Sequence, residues 1–318
     1  MAVGDLILAT DFNSMRSNIA TVLGQTSTGY GQVLRATEVA TTNLVTSSNM
    51  QNLYLDMIAT RVHQTGSVDS TIDVPLIGNI VGWDTSTDPN GITKGIADFI
   101  LVKNAIAAYD GSTTGFPSGN FAINTASSSS RNGSTSPWGT VATTQTITHT
   151  LTFTFTDASH IEYYFNAGGQ IRCSASLTSP SGAKSLNWQA MLSAMGVVAF
   201  DKWRTHSLSS SGTGSSIGYS TLTSVYQTVY LKSGSSVYAA NTYKVEAKKP
   251  TTNTIQFKIT FNDLDVGSSP TSPVDETVLG TVTNLVQTYN PNSSFTYSST
   301  NYTAVSISSP ATTVDTTL

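Results

Sequence analysis

From Thr146 to Phe155 the chain alternates without a break. Ile147, His149, Leu151, Phe153 and Phe155 fall on one face, and Thr148, Thr150, Thr152 and Thr154 fall on the other. A period of two over this length predicts a half-buried strand. Beyond Asp157-Ala158-Ser159, Ile161, Tyr163 and Phe165 alternate again and predict a second strand. Asn166-Ala167-Gly168-Gly169 then supplies residues that tolerate positive φ, so the chain can reverse. Ile171, Cys173, Ala175 and Leu177 mark the inner face of a return strand, which Pro180-Ser181-Gly182 interrupts. Trp188, Met191, Leu192 and Met195 follow at helical spacing, with Ser185 as the expected N-cap and Gly196 as the stop. The expected centre is a three-strand meander with one helix packed on it.

The N-terminal region has the helical period instead. Phe12, Met15, Ile19, Val22 and Leu23 lie behind Thr10 as cap and end at Gly24. Met50, Leu53, Met57 and Ile58 lie behind Ser48, with Gln51 at capping-box spacing. Asn18 in the first helix corresponds to Asp56 in the second, which suggests a duplicated helical unit over residues 1–66. Neither stripe is wide enough to hold a helix in water unaided, so the pair must pack on each other or on a neighbour. Phe12, Met15, Ile19, Met50, Leu53 and Met57 are therefore candidates for an assembly interface.

Residues 67–130 read as mixed. Val74-Pro75-Leu76-Ile77 is expected to be extended and Asp88-Pro89-Asn90-Gly91 a turn, and Thr93 is the expected cap of a third helix carrying Ile96, Phe99, Ile100 and Ile106. The Ser-rich stretch 126–137 predicts a flexible linker and a domain boundary. Residues 131–206 hold the central meander and its helix, and 207–307 form a C-terminal β-region that opens with a polar loop, Ser207 to Ser216. In that region Leu222, Val229 and Leu231 are assigned to one strand, Val237 to Ala247 to the next, and Ile255, Phe257, Ile259 and Phe261 to a strictly alternating third. Val278 to Val286 and Tyr302 to Ile307 are further candidates, and the tail 308–318 is expected to be an extended arm or disordered. The fold class is α+β and predominantly β: a small N-terminal helical unit, then antiparallel sandwich-like domains with one packed helix.

Composition narrows the function. Charged residues are 11% of the chain and the net charge is -4, so the clustered cations that neutralise phosphates are missing and nucleic acid is not an expected partner. Ser and Thr together make up about 30%, which suits surfaces that meet other subunits without burying unpaired ions. The N-terminus lacks the pattern of a signal peptide, and no apolar run suggests membrane insertion. The single Cys173 sits at an inward strand position and reads as a small buried hydrophobe.

Candidate chemistry is sparse. Gly214-Ser215-Ser216-Ile217-Gly218 matches a nucleophile elbow by letter, but it lies in a Ser/Gly loop with no strand and helix around it. His63, His149, His160 and His206 show no ligand spacing, and His149 reads as a hydrogen-bonded core residue. Asp263, Asp265, Asp275 and Glu276 lack the punctuation of a calcium loop and read as solvated carboxylates. No catalytic residue, cofactor site or metal site is expected. Tyrosines crowd the C-terminal region, and Tyr219 and Tyr297 are the candidate glycan contacts.

Two sets of residues carry a resemblance. Asp11-Phe12-Asn13 to Leu23-Gly24, Gly29-Tyr30-Gly31-Gln32 and His63-Gln64-Thr65-Gly66 form the first, and Ile161 to Arg172 with Ser174-Ala175-Ser176, Trp188, Met191-Leu192 and Gly196 form the second. Together they resemble virion structural and tail-associated proteins of tailed phages, notably those of cyanobacteria. The resemblance implies a non-enzymatic subunit of the tail, neck or fibre apparatus that assembles with other virion proteins and copies of itself. It would be made in the host cytoplasm and end in the virion. A receptor- or glycan-binding adhesin module and a head-decorating protein are the alternatives.

Overall fold

The computed structural model describes residues 7–67, 80–82, 93–140, 142, 144–265, 277–291, 294–297, 300–303 and 311–316. In chain order the elements are α1 (Ala9–Leu23), α2 (Ser47–Thr65), β1 (Ile80–Gly82), β2 (Thr93–Gly95), α3 (Ile96–Ala108) and α4 (Gly111–Thr114). Then come β3 (Phe121–Asn132), β4 (Trp138–Gly139), β5 (Thr146–Thr154), α5 (Ala158–Asn166), β6 (Gln170–Ser181), α6 (Ala183–Met195), β7 (Val197–Phe200) and β8 (Thr205–Ser207). The last are β9 (Gln227–Ser233), β10 (Thr242–Thr251), β11 (Thr254–Asn262), β12 (Thr277–Pro291), β13 (Ser294–Tyr297), β14 (Thr300–Thr303) and β15 (Ala311–Thr316). The chain is mixed α+β and strand-rich, as the patterning implied. It divides into two compact units, the first Met1–Ala122 with Glu162–Gly168 and Pro291–Ile307, the second Ile123–Ile161 with Gly169–Asn290 and Ser308–Leu318.

The first unit is built on α1, α2 and α3. Phe12, Met15, Ile19 and Leu23 of α1 share a core with Met50, Leu53, Met57 and Ile58 of α2 and Phe99, Val102 and Ile106 of α3. Each such fully buried side chain stabilises the fold by about 2 kcal/mol relative to exposure. The connection between α1 and α2 has no regular structure, so side chains replace the missing ladder. Asn13 accepts from the Val39 N–H (3.0 Å) and donates to the Val39 carbonyl (2.8 Å), and Arg16 Nε donates to the Ala36 carbonyl (2.8 Å). From the other side, Asp56 accepts the N–H groups of Arg35 (3.0 Å) and Ala36 (2.9 Å).

Several local expectations change. Helix α1 starts at Ala9 with no side-chain cap, so Thr10 lies inside it. Helix α2 is capped by Thr46, not Ser48: Thr46 Oγ1 accepts from the Asn49 N–H (3.3 Å), and Asn49 Oδ1 accepts from the Thr46 N–H (2.9 Å). Thr93 belongs to β2, and α3 begins at Ile96. Asn18 is exposed and bonds its own helix at Ser14, whereas Asn13 in α1 and Asp56 in α2 hold the connection; the helices are therefore no simple duplicate. The expectations for 74–77, 88–91, 275, 276 and 304–307 lie outside the described residues.

The second unit is two antiparallel sheets. One has the order β15-β5-β11-β10-β9, and the other β3-β12-β6-β7-β8 with β4 on β12. Ile147, His149, Leu151 and Phe153 of β5 align with Phe261, Ile259, Phe257 and Ile255 of β11, so the inward faces coincide. The sheets meet where Phe200 of β7 stands edge-on to Phe257 of β11 (ring centroids 5.1 Å). Asn284 of β12 reaches both Tyr243 Oη of β10 (3.3 Å) and His149 Nδ1 of β5 (2.5 Å). On α6, Trp188 packs against Trp138 of β4 (4.9 Å).

The three-strand meander does not form. The run with Ile161, Tyr163 and Phe165 is helix α5, because Ile161, Tyr164 and Phe165 also satisfy helical spacing and are the fully buried ones. Asp157 decides between the two periods: its Oδ1 accepts the N–H groups of Ser159 (2.8 Å) and His160 (2.9 Å), which starts a helix. Strands β5 and β6 consequently lie in different sheets. Ser185 does not cap α6; Gly182, at φ 90, precedes the helix, and Ser185 Oγ accepts the Leu279 N–H (2.9 Å). The expected linker 126–137 largely forms β3, since a ladder uses backbone groups and a polar strand can occupy a sheet edge. Leu222 precedes β9, and Val237 sits in a short 3-10 turn before β10. The tail is not a free arm: β15 pairs with β5 from Ala311↔Thr154 to Thr316↔His149.

Candidate functional site

The densest chemistry lies inside the second unit, around the first turn of α6. Lys184 is the second residue of α6, one past Ala183 after the Gly182 turn, and its side chain enters the space beside the end of β11. There Asp263 is held by its N–H on the Gln145 carbonyl (2.9 Å). Asn241 Oδ1 accepts the N–H groups of Leu264 (2.8 Å) and Asp265 (2.9 Å), which fixes the chain just beyond. Lys184 Nζ donates to Thr140 Oγ1 (2.8 Å) and Asp263 Oδ2 (3.1 Å) and lies 3.4 Å from Asp265 Oδ2. The Lys184 and Asp263 side chains are 0% exposed and that of Asp265 is 13% exposed. Trp138, Trp188 and Phe261 cluster alongside.

The electrostatics are those of a desolvated pair. Burial pushes the Asp263 carboxyl above its ordinary range, against the opposing pull of Lys184 and its hydrogen bonds with Lys184, Thr140 and Asn241. Taking both ions from water still costs several kcal/mol each, which contact and hydrogen bonds must offset. Asp263 and Asp265, read from sequence as solvated, are thus structural partners of a lysine. Nothing in the spacing linked them to Lys184, because the contact spans 79 positions.

The other candidates separate. Phe12, Met15, Ile19, Met50, Leu53 and Met57 all lie in the first unit's own core, none more than 5% exposed, so they present no face to a partner. Tyr219 is 7% exposed, with its Oη accepting from Lys249 Nζ (2.9 Å), and offers no ring face for sugar stacking. The Tyr297 side chain lies outside the described residues. Ser215 donates to the Val229 carbonyl (2.9 Å), and its loop is pinned to Thr205 by two backbone bonds, not poised above a helix. Cys173 is buried and its thiol is pushed up to about 12 by burial. Among the described residues no group of three or more His, Cys, Asp or Glu has a metal-like arrangement, and no helix is long and apolar enough to cross a membrane.

Within the first unit, the separated stretches that carried the resemblance meet. Asn166 Nδ2 donates to the carbonyls of Ser27 and Gly29 (both 3.0 Å). His63 Nε2 meets the Ala167 carbonyl at 2.8 Å and its ring stands edge-on to Tyr30 (ring centroids 5.0 Å). Gly31 is at φ 79, and a Cβ there would come within 2.5 Å of the Tyr163 ring. Burial lowers His63 to about 4, so the imidazole is neutral and Nε2–H is the donor to Ala167. Comparison with known proteins gave no match to a family model, a curated protein or a solved structure.

Proposed function

We propose that this chain is a non-enzymatic structural subunit of a tailed-phage particle, placed in the tail, neck or fibre apparatus and acting by assembly with other virion proteins and copies of itself. One observation carries the reading. The stretches that resemble phage virion proteins, around Gly29-Tyr30-Gly31, His63 and Ile161–Gly168, close on one another as a single joint through Asn166, His63 and Gly31. Their role is to hold a body together, which is what an assembly component needs from its most characteristic residues.

The docking surface differs from the one expected in the helical stripes. Among the described residues, Leu8, Val33, Leu44 and Leu101 are the large apolar residues exposed on the first unit, and they replace the six buried candidates as docking residues. Quantitative mass spectrometry of purified particles, with antibody labelling, tests the proposal. A small fixed copy number at the tail or neck is expected. Absence from washed particles refutes it, and a copy number matching the head lattice selects the decorating role.

A second reading has its own support. Tyr226 is half-buried on the outer face of the β5 sheet, with Lys248 and Lys258 over its ring (4.4 and 4.5 Å) and its Oη donating to Gln256 (2.7 Å). An aromatic face beside amides and ammonium groups suits an acidic glycan better than Tyr219 does. A glycan array with wild type and Tyr226→Ala separates the two: binding lost in the variant selects the adhesin.

A further inference from the structure

Lys184 and Asp263 are an amine and a carboxyl held in contact away from water, with a second carboxylate and a hydroxyl around them. We propose that they condense into an intramolecular amide between Lys184 Nζ and Asp263 Cγ, with Asp265 as the proton relay. The inference is independent of any place in a particle.

The geometry supplies each part. Nζ lies 3.1 Å from Asp263 Oδ2 and 3.4 Å from Asp265 Oδ2, and Thr140 Oγ1 is 3.3 Å from Asp263 Oδ2. Lys184 is placed by the first turn of α6, and Asp263 and Asp265 by the Gln145 carbonyl and Asn241 Oδ1, so neither reactant must be brought in from elsewhere. Contact enforced by the fold replaces a high concentration of one reactant.

The step balances with these groups alone. One ammonium proton passes to the Asp263 carboxylate, leaving an amine and a neutral acid, and burial favours the acid form of Asp263. The Nζ lone pair attacks Cγ and forms the N–C bond, while the C=O electron pair moves onto oxygen within reach of the Thr140 hydroxyl. Asp265 takes a second proton from the nitrogen. The intermediate collapses as the Cγ–OH bond breaks, and the departing hydroxyl receives that proton from Asp265. One water leaves, the amide keeps one N–H, and no oxidant or cofactor is required. Two buried charges become one neutral amide, which removes the desolvation penalty of the ion pair.

The test is the intact mass of the full-length chain, folded at neutral pH and measured under denaturing conditions. Wild type is expected to be lighter than its sequence by one water. A tryptic digest should show a branched peptide joining the Lys184 and Asp263 segments, uncleaved after Lys184. Lys184→Arg keeps the positive charge but cannot form the amide, and should have the full mass. Asp265→Asn keeps both reactants and should slow the loss of water about a hundred-fold. Wild type at full sequence mass after prolonged incubation overturns the proposal, and this reading does not depend on any variant folding. A water lost equally from Lys184→Arg also overturns it, because the dehydration then lies elsewhere, and an unchanged rate in Asp265→Asn removes the relay.

Discussion

His63 and Asp56 show how single groups set the conditions under which the first unit is stable. His63 falls from its ordinary value of 6.5 to about 4 because burial disfavours the imidazolium. The unfolded chain therefore takes up a proton that the native chain refuses as pH falls from 6.5 towards 4. Stability from this residue is complete above that window and declines through it by about 3 kcal/mol. Protection factors of the α2 amides, each referred to the intrinsic exchange rate at that pH, should fall from pH 7 to 4.5, and His63→Gln should reduce that dependence; equal pH dependence in both proteins would refute the assignment. Asp56 accepts two backbone N–H groups while buried, and burial holds its carboxyl above the usual range. Asp56→Ala strands those donors and should cost about 3 kcal/mol, measured by urea unfolding. Asp56→Asn keeps one acceptor oxygen and should cost less.

Among elements, the caps and the sheet edge carry the clearest consequences. The reciprocal Thr46–Asn49 pair starts α2, so Thr46→Ala should destabilise the first unit by about 1 kcal/mol, while Ser48→Ala should change little. Thermal unfolding of the two variants checks this. Strand β15 covers the outer edge of β5. Removing residues 308–318 bares a row of unpaired backbone groups, and light scattering should then show self-association absent from the full chain. A truncated chain that stays as dispersed as wild type would show that β15 contributes little to covering the edge.

For the molecule as a whole, the order of the chain matters more than its segments. The first unit takes Glu162–Gly168 from the middle of the sequence, and those residues supply Ala167 to its core and Asn166 to its 27–29 turn. A fragment of residues 1–122 should therefore fail to unfold cooperatively in calorimetry, and adding the remaining chain in cis should restore the transition. Reading residues 1–66 as a separate helical unit missed this contribution. It left the apolar stripes to pack on each other or on a neighbour, and the chain itself supplies the cover through α1, α2, α3 and Ala167.

What the sequence determined by itself is whatever depends on near neighbours. The alternation in β5 and β11, the buried stripes of α1, α2 and α6, the stop at Gly196 and the buried character of Cys173 and His149 all follow from periods of two and 3.6 read over a few residues. Where both periods fit, as at Ile161 and Phe165, a cap at Asp157 settled the matter, and a cap is weak evidence until its N–H partners are seen. Tertiary structure alone decided what depends on distant neighbours. It joined β5 to β15, placed β6 in the other sheet, made a strand of the serine-rich 126–132 stretch, and set Lys184 against Asp263. Backbone ladders and buried ion pairs depend on which groups fold together, and in those pairings a residue's neighbours in sequence have almost no part.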